Sequence, residues 1–181
     1  MFKSLSLKVI IFGFIFTFFS SFGQSFFIGL FNPSVRDALN ISHGQFGSIY
    51  ATATLLSSFL FIWVGKKIDD INVLRFALYV TVLLSFSCFF FSKISSIVFL
   101  FIAIFLMRFS GQGMMSHTAS TTISRYFTKS RGKALSIGWF GLSVAEFILP
   151  VTIIYLLTIY NWQNIWIFIS LLVLVFLPIA S

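Results

Sequence analysis

Six apolar stretches follow one another along the chain, and short polar segments separate them. Each is close to the length of about 20 residues that an α-helix needs to cross the hydrocarbon core of a bilayer. The stretches lie at residues 7–31, 45–65, 74–92, 96–122, 134–158 and 162–180, and we number them spans 1 to 6. The pattern predicts an all-α, polytopic membrane protein with six transmembrane helices.

Composition agrees with a membrane protein and argues against other classes. Of the 181 residues, 59% are hydrophobic and 9% are charged, and the mean hydropathy of +1.04 is far above that of a soluble domain. The basic residues behind the net charge of +8 fall in short clusters between the spans, so they do not indicate nucleic-acid binding. The single cysteine, Cys88, excludes a disulfide within the chain and a CxxC metal or redox site. The expected partner is the lipid bilayer.

Basic residues between the spans predict the orientation, because cytoplasmic segments carry an excess of Lys and Arg. With the N-terminus in the cytoplasm, only Arg36 and Lys93 lie outside. The basic residues inside are then Lys3, Lys8, Lys66, Lys67, Arg75, Arg125, Lys129, Arg131 and Lys133. We therefore expect a multi-pass protein of the cell membrane with a cytoplasmic N-terminus. The abundance of Phe, with 27 residues, indicates a coding bias towards A and T, from which we expect a bacterial inner membrane.

Two local signals mark the segment between spans 1 and 2. Pro33 is expected to end the first helix, because proline cannot donate a backbone hydrogen bond within a helix. Ser42 followed three residues later by Gln45 is a capping-box pattern, which predicts that the second helix begins there.

Two charged residues lie deep inside the spans, Arg108 in span 4 and Glu146 in span 5. At 1.5 Å per residue, Arg108 lies about 16 Å from the outer surface and Glu146 about 12 Å from it in a core of ~30 Å. Charges at this depth are costly and usually functional. Spans 4 and 5 are joined by a short segment and are expected to be antiparallel neighbours, so an ion pair between the two residues is sterically feasible. A fixed structural pair is the alternative.

Further polar residues are candidates for a cavity lining. Gln112 and Ser116 follow Arg108 by four and eight residues, so they are expected on the same helix face. His117 is expected nearly opposite to Arg108, as a packing residue. Gln24, in a polar belt of span 1, is a candidate for the solute pathway.

Span 5 carries features of a helix that packs closely and moves. Gly138 and Gly141 allow close backbone approach, and Pro150 is expected to bend the helix. Static packing explains these residues equally well.

Three motifs in order along the chain resemble the major facilitator superfamily. The segment GKKIDDINVLR (residues 65–75) resembles the family's loop between its second and third helices, with Gly65, Asp69 and Arg75 on the pattern. Asp70 and Asn72 depart from it, standing where the family has a base and a glycine.

The other two motifs lie in and after span 4. RFSGQG (residues 108–113), with Gly111 and Gly113, resembles the family's arginine and small-residue motif in the same helix. RGKA (residues 131–134) resembles the usual start of its fifth helix. The sequences of spans 1 and 2 resemble those of family members related to organic-anion and monocarboxylate carriers.

This resemblance implies one half of a twelve-helix secondary transporter, whose two six-helix halves rock around a site near the midplane. The whole chain, residues 1–181, then corresponds to the N-terminal transmembrane half. Ser181 ends the sequence at the inner mouth of span 6 without a basic cluster, and we expect the chain to be truncated and the C-terminal half to be missing. The resemblance also implies that Asp69 pairs with a helix terminus of the other half at an inner gate.

The function expected on these grounds is transport of a small organic anion, a carboxylate, coupled to protons. In this hypothesis Arg108 binds the anion or controls Glu146, and Glu146 carries the proton. A carboxyl group next to an arginine keeps a low pKa, and its pKa rises when it moves into an apolar environment, so that it takes up a proton. A proton-driven exporter of hydrophobic or cationic compounds is the alternative, and a non-transporting membrane subunit is a further one. An enzyme is not expected, since the sequence has no HExxH motif, paired catalytic acids or metal cluster, and no cofactor is expected.

Overall fold

The computed structural model describes residues 4–180, and the side chains of residues 6–175. Lys3 and Ser181, on which the predicted orientation and the predicted truncation partly depend, lie outside the described residues. The helices are α1 (Ser4–Ser20), α2 (Ser25–Leu30), α3 (Asn32–Leu39), α4 (His43–Val64), α5 (Val73–Ser92), α6 (Ile97–Met107), α7 (Ser116–Tyr126), α8 (Arg131–Leu157) and α9 (Trp162–Ala180).

The described residues form helices and connecting turns without a strand, which confirms the predicted all-α class. Five helical stretches are long and apolar enough to cross a membrane, and α9 supplies a shorter apolar helix over Trp162–Val175. A bundle of this kind corresponds to the six-helix half expected from the sequence.

Span 1 is not the uninterrupted helix that its apolar pattern predicts. After α1 the chain makes a 3-10 turn over Ser21–Gly23, and Gln24 takes an extended backbone conformation before α2 begins. The break lies where small and polar residues replace the run of Phe and Ile, and such residues stabilise helices poorly.

The segment between spans 1 and 2 is largely helical. Pro33 does not terminate a helix: α2 ends at Leu30, and Pro33 lies in the first turn of α3, where the N–H that proline lacks would have no helical partner. The capping box is confirmed, because Ser42 N donates to Gln45 Oε1 over 2.8 Å and Gln45 N donates to Ser42 Oγ over 3.2 Å.

Span 4 changes its helical geometry at Arg108. Between α6 and α7, residues Arg108–Met115 form a π-helical segment, in which hydrogen bonds join residues five apart instead of four. The helix therefore runs through the middle of the bundle with a wider turn there. The sequence pattern did not predict this segment.

Helices α1 and α8 pack with their backbones close together. Thr17 Oγ1 donates to Gly138 O over 2.6 Å, which joins the two helices through a buried hydrogen bond. A Cβ atom on Gly141 would lie 2.5 Å from Thr17 Oγ1 and would also overlap Phe14 O, so only glycine fits at this position. The glycines of span 5 thus allow α8 to pack closely against α1.

A second close approach joins the break in span 1 to the π-helical segment. A Cβ atom on Gly111 would lie 2.7 Å from both Cα and N of Gly23. The two glycines bring the backbones of spans 1 and 4 together beside Arg108.

Helices α5 and α9 are held together by a reciprocal pair of serines. Ser85 Oγ donates to Ser170 O over 2.9 Å, and Ser170 Oγ donates to Ser85 O over 2.8 Å. Nearby, the rings of Phe27, Phe31 and Phe91 surround the fully buried Trp166, with centroid distances of 5.4, 4.8 and 4.6 Å. Aromatic packing thus supports the contact between α5 and α9 on this side of the bundle.

Apolar side chains remain exposed on α4 and α8, which are among the helices that border the cavity described below. Leu55 on α4 is 72% exposed and Phe147 on α8 is 82% exposed. Surfaces of this composition suit a bilayer or a further helical partner.

We expect Gly141→Ala to lower the apparent melting temperature of the protein in detergent by several degrees, because the added methyl group meets a backbone carbonyl that cannot move without separating α1 and α8. Gly47→Ala is the matched control. A Cβ atom there meets nothing within 4 Å, and alanine is favoured over glycine in a helix by about 1 kcal/mol. Equal melting temperatures for the two variants would contradict the close packing of α1 on α8.

Candidate solute-binding cavity

A cavity of about 370 Å³ lies between α4, the π-helical segment, α7 and α8. Its lining is mainly polar and aromatic, with one charged side chain. The lining residues are Ser57, Ser58, Phe61, Arg108, Phe109, Gln112, Gly113, Ser116, His117, Ser120 and Trp139. We call it the Arg108 cavity.

Arg108 is 7% exposed and is anchored by span 1 and α4. Its Nη1 donates to Gly23 O over 3.0 Å and to Ser25 Oγ over 3.3 Å. The guanidinium carbon lies 5.4 Å from the centre of the Tyr50 ring, and Tyr50 Oη donates to Ser25 Oγ over 2.9 Å. The break in span 1 thus places a carbonyl group where the guanidinium can donate to it.

The feasible ion pair between Arg108 and Glu146 is not formed. Among the described residues Arg108 makes no ion pair, and Glu146 is exposed on α8 and does not line the Arg108 cavity. Glu146 follows the cavity-lining Trp139 by seven residues, which is about two turns, so it lies on the same helix face roughly 10 Å farther along. Similar depth made the pair feasible, but depth does not determine which way two side chains face.

Within the described part of the chain, three buried polar atoms of the cavity-lining residues have no hydrogen-bond partner. They are Arg108 Nε, Gln112 Oε1 and Ser116 Oγ. Buried polar groups in proteins are nearly always paired, and an unpaired one costs about 1–3 kcal/mol. The structure therefore brings together three of the predicted pathway residues, each with a buried polar atom left unpaired.

His117 lies in the same lining as Arg108, whereas regular helical periodicity predicts it on the opposite face. Nine residues at 100° each would place it half a turn away in an α-helix. A segment with i→i+5 hydrogen bonds turns less per residue, which brings His117 round to the cavity. His117 Nε2 lies 3.0 Å from Gly65 O, and its ring meets Phe61 edge-on.

The other predicted pathway and packing residues have different positions. Gln24 is half-buried at the break in span 1 and is not part of the cavity lining. Gly113 lines the cavity, and Gly111 contacts Gly23. Pro150 lies half-buried inside α8, and the helix continues past it to Leu157.

The predicted gating loop is held to the end of span 4. Gly65 begins a 3-10 turn that ends at Asp69, and the Asp69 carboxylate forms an ion pair with Arg125. Arg125 Nη2 also donates to Ile68 O over 3.2 Å. The partner of Asp69 in this structure is therefore a residue of the same chain.

Two other charged residues of this loop, Asp70 and Arg75, lie near the surface. Asp70 pairs with Lys67 over 3.4 Å, and both side chains are largely exposed, so the pair contributes little stability. Arg75 is exposed in the first turn of α5.

Sequence reasoning missed several residues of the site, among them Tyr50, Phe61, Trp139 and Arg125. Tyr50 and Trp139 stand among many aromatic residues, so no pattern distinguishes them. The polar interruption at Gln24 and Ser25 was a usable signal for the break that anchors Arg108. In the part of the chain that the structure describes, no three His, Cys, Asp or Glu residues are grouped so that they could hold a metal ion.

Comparison with protein families finds a match to the Major Facilitator Superfamily over residues 13–181. No curated protein and no solved structure matched the chain.

We expect Ser58→Cys to react faster with an anionic methanethiosulfonate than with a cationic one, because Ser58 is exposed and lines the cavity whose charged group is Arg108. Ser110→Cys is the control, since Ser110 is fully buried in span 4 against Ser87. The native Cys88 is also fully buried and is expected not to react. Adding Arg108→Gln should remove the preference of Ser58→Cys. Equal rates for the two reagents, or equal labelling of Ser110→Cys, would contradict the proposed access and charge of the cavity.

Proposed function

Because the chain belongs to the Major Facilitator Superfamily, whose members are transporters and not enzymes, we propose that it moves a small organic anion together with protons as a symporter. Alternating access around the Arg108 cavity would carry the solute across the membrane. The proposal rests on one observation: among the described residues, the buried Arg108 lines a polar cavity that has no carboxylate in its lining, and Arg108 makes no ion pair.

The electrostatics of the cavity favour an anion. A buried charge is expensive unless it is paired, and the partners of Arg108 among the described residues are a carbonyl, a hydroxyl and an aromatic ring. None of these carries a negative charge. A carboxylate from a solute would supply the missing charge and charge-assisted hydrogen bonds, to which arginine is well suited.

The remaining lining supports a small organic solute. The volume of about 370 Å³ falls at the lower end of the range for small-molecule sites, roughly 300–1,000 Å³. Gln112 and Ser116 supply polar side chains to the lining, and Phe61 and Trp139 supply apolar faces. Together these groups suit a carboxylate attached to a compact apolar body.

We assign the coupling proton to Glu146. Its carboxyl group is exposed on the face of α8 that carries Trp139, beyond the cavity on the side predicted to face outwards. A carboxylate that meets water in one state and an apolar surface in another binds and releases a proton as the conformation changes. We also propose that Gln24, which is half-buried at the break in span 1, lies on the pathway of the solute.

A second six-helix half would complete the transporter. The exposed apolar surfaces of α4 and α8 border the cavity and are available to such a half. We propose that Gly65, Asp69 and Arg75 act at the inner gate, where the ion pair between Asp69 and Arg125 holds the loop to span 4. We further propose that the protein spans a bacterial inner membrane with its N-terminus in the cytoplasm.

Export of hydrophobic or cationic compounds is the second candidate. It is favoured by the aromatic lining of Phe61 and Trp139 and by the exposed Glu146 carboxylate, which could attract a cation. Arg108 opposes it, because the charged group in the lining would repel a cation.

We expect Arg108→Gln to weaken the apparent affinity for transported carboxylates by about 10- to 100-fold, since a hydrogen bond to a charged group contributes roughly 1.5–3 kcal/mol. Arg108→Lys, which keeps the charge but loses the planar donors, is expected to fall between Arg108→Gln and the wild type. The assay is uptake of radiolabelled carboxylates by proteoliposomes that contain the complete transporter, with lipophilic cations in parallel. Transport of cations alone, unaffected by Arg108→Gln, would favour the exporter and refute the anion carrier.

Glu146→Gln is expected to abolish uptake driven by a pH gradient and to leave the exchange of solute for solute intact. The amide has nearly the shape of the carboxyl group but cannot carry a proton. Ser143→Ala is the control, because Ser143 is another exposed polar residue of α8. If Glu146→Gln accumulates solute as the wild type does, Glu146 has no part in coupling.

A further inference from the structure

We propose that His117 is a second proton-binding residue, in addition to Glu146, at the inner end of the Arg108 cavity. The anion and a proton then bind in the same cavity and stabilise each other. This inference rests on the proposed function above, because it assigns the coupling of that same site. His117 was expected to be a packing residue, and it acquires this position only through the π-helical segment.

The hydrogen bond of His117 identifies which nitrogen can accept a proton. Nε2 lies 3.0 Å from Gly65 O, and a carbonyl oxygen can only accept, so Nε2 carries a hydrogen. In neutral imidazole Nδ1 is then the unprotonated nitrogen, and within the described residues it has no hydrogen-bond partner. His117 can therefore gain a proton at Nδ1 without breaking its bond to Gly65.

His117 lies between two compartments. Together with Phe61 it lines the Arg108 cavity and also a smaller pocket of about 230 Å³, which contains Lys66 and Asp69 of the gating loop. The two rings meet edge-on, with centroids 5.3 Å apart and an interplanar angle of 87°. They form the partition between the cavity and the loop predicted to be cytoplasmic.

Glu146 is on the other side of the cavity. From Trp139 it lies two turns towards the end of α8 that is predicted to face outwards, whereas His117 contacts the start of the gating loop at Gly65. The two titratable groups therefore serve separate steps, Glu146 on the outer side and His117 on the inner side.

The charges around His117 couple a proton to an anion. Arg108 lies in the cavity on one side, and Lys66 and Asp69 line the pocket on the other, with Asp69 already paired to Arg125. Helices α4 and α8 contribute no charged side chain to either lining, and Tyr50 packs on Arg108 outside both.

An imidazolium beside Arg108 in an empty cavity adds a second positive charge, and the two repel each other. A bound carboxylate offsets both charges. Binding of the anion therefore favours binding of the proton, and by linkage the proton favours the anion to the same extent. Release of either the proton or the anion to the inner side lowers the affinity of the cavity for the other.

His117→Gln tests the inference, because its side-chain amide can still donate to Gly65 O but cannot gain a proton. In the complete transporter, the wild-type KM for a labelled carboxylate is expected to fall as the pH falls, by at most about tenfold per pH unit for one linked proton. In His117→Gln the KM is expected to be independent of pH, and accumulation driven by a pH gradient is lost. Exchange of solute for solute at constant pH continues.

The chain supplies a matched control, since His43 is its other histidine and is exposed at the start of α4. His43→Gln is expected to keep the wild-type dependence of KM on pH. If His117→Gln does not fold, His117→Phe, which retains the ring against Phe61, replaces it in the same assay.

Three results would overturn the inference, and they are distinguishable. A pH-dependent KM retained in His117→Gln removes His117 from coupling but leaves the anion carrier in place. A wild type that exchanges carboxylates with a KM independent of pH removes the proton from the mechanism. A wild type that transports no carboxylate at all refutes the proposed function itself, and the assignment of His117 with it.

Discussion

The contact between the Arg108 guanidinium and the Gly23 carbonyl is the interaction on which the rest of the site depends. It needs a break in span 1, because the groups that Arg108 binds lie at Gly23 and Ser25, on either side of the extended Gln24. It also needs the backbones of spans 1 and 4 to touch, which the facing glycines at 23 and 111 permit. A charge that would be prohibitive in hydrocarbon is thus held by protein dipoles on one side and left open to the cavity on the other.

The π-helical segment determines what surrounds that charge. It begins at Arg108 itself and lowers the angle between successive side chains, so that Gln112, Ser116 and His117 all reach one lining. A regular α-helix would carry the first two and turn His117 away. Segments of this type are rare in helices and are frequent at functional sites, and here the segment converts a packing residue into a neighbour of Arg108.

The gating loop is connected to the cavity through two contacts on span 4. His117 binds the carbonyl of Gly65 where the loop begins, and Arg125 binds Asp69 and the carbonyl of Ile68 where the 3-10 turn ends. Under the proposed function, a change in the occupancy of the cavity acts on the loop through His117. Asp69 is held by Arg125 of its own chain, and its side chain remains largely exposed.

The sequence by itself determined the fold class, because the bilayer imposes a length and a composition on every spanning helix and these are visible as six apolar stretches. It also identified Arg108, Gln112 and Ser116, whose spacing follows from helical periodicity, and the capping box at Ser42. The family resemblance of residues 65–75 and 108–113 is likewise a property of sequence. Only the tertiary structure decided that Arg108 binds Gly23 and that Glu146 points elsewhere, since the depth of two residues says nothing about the rotation of their helices. It alone decided the position of His117, because a change from i→i+4 to i→i+5 hydrogen bonding leaves no periodic signal in eight residues, yet it reorients every side chain that follows.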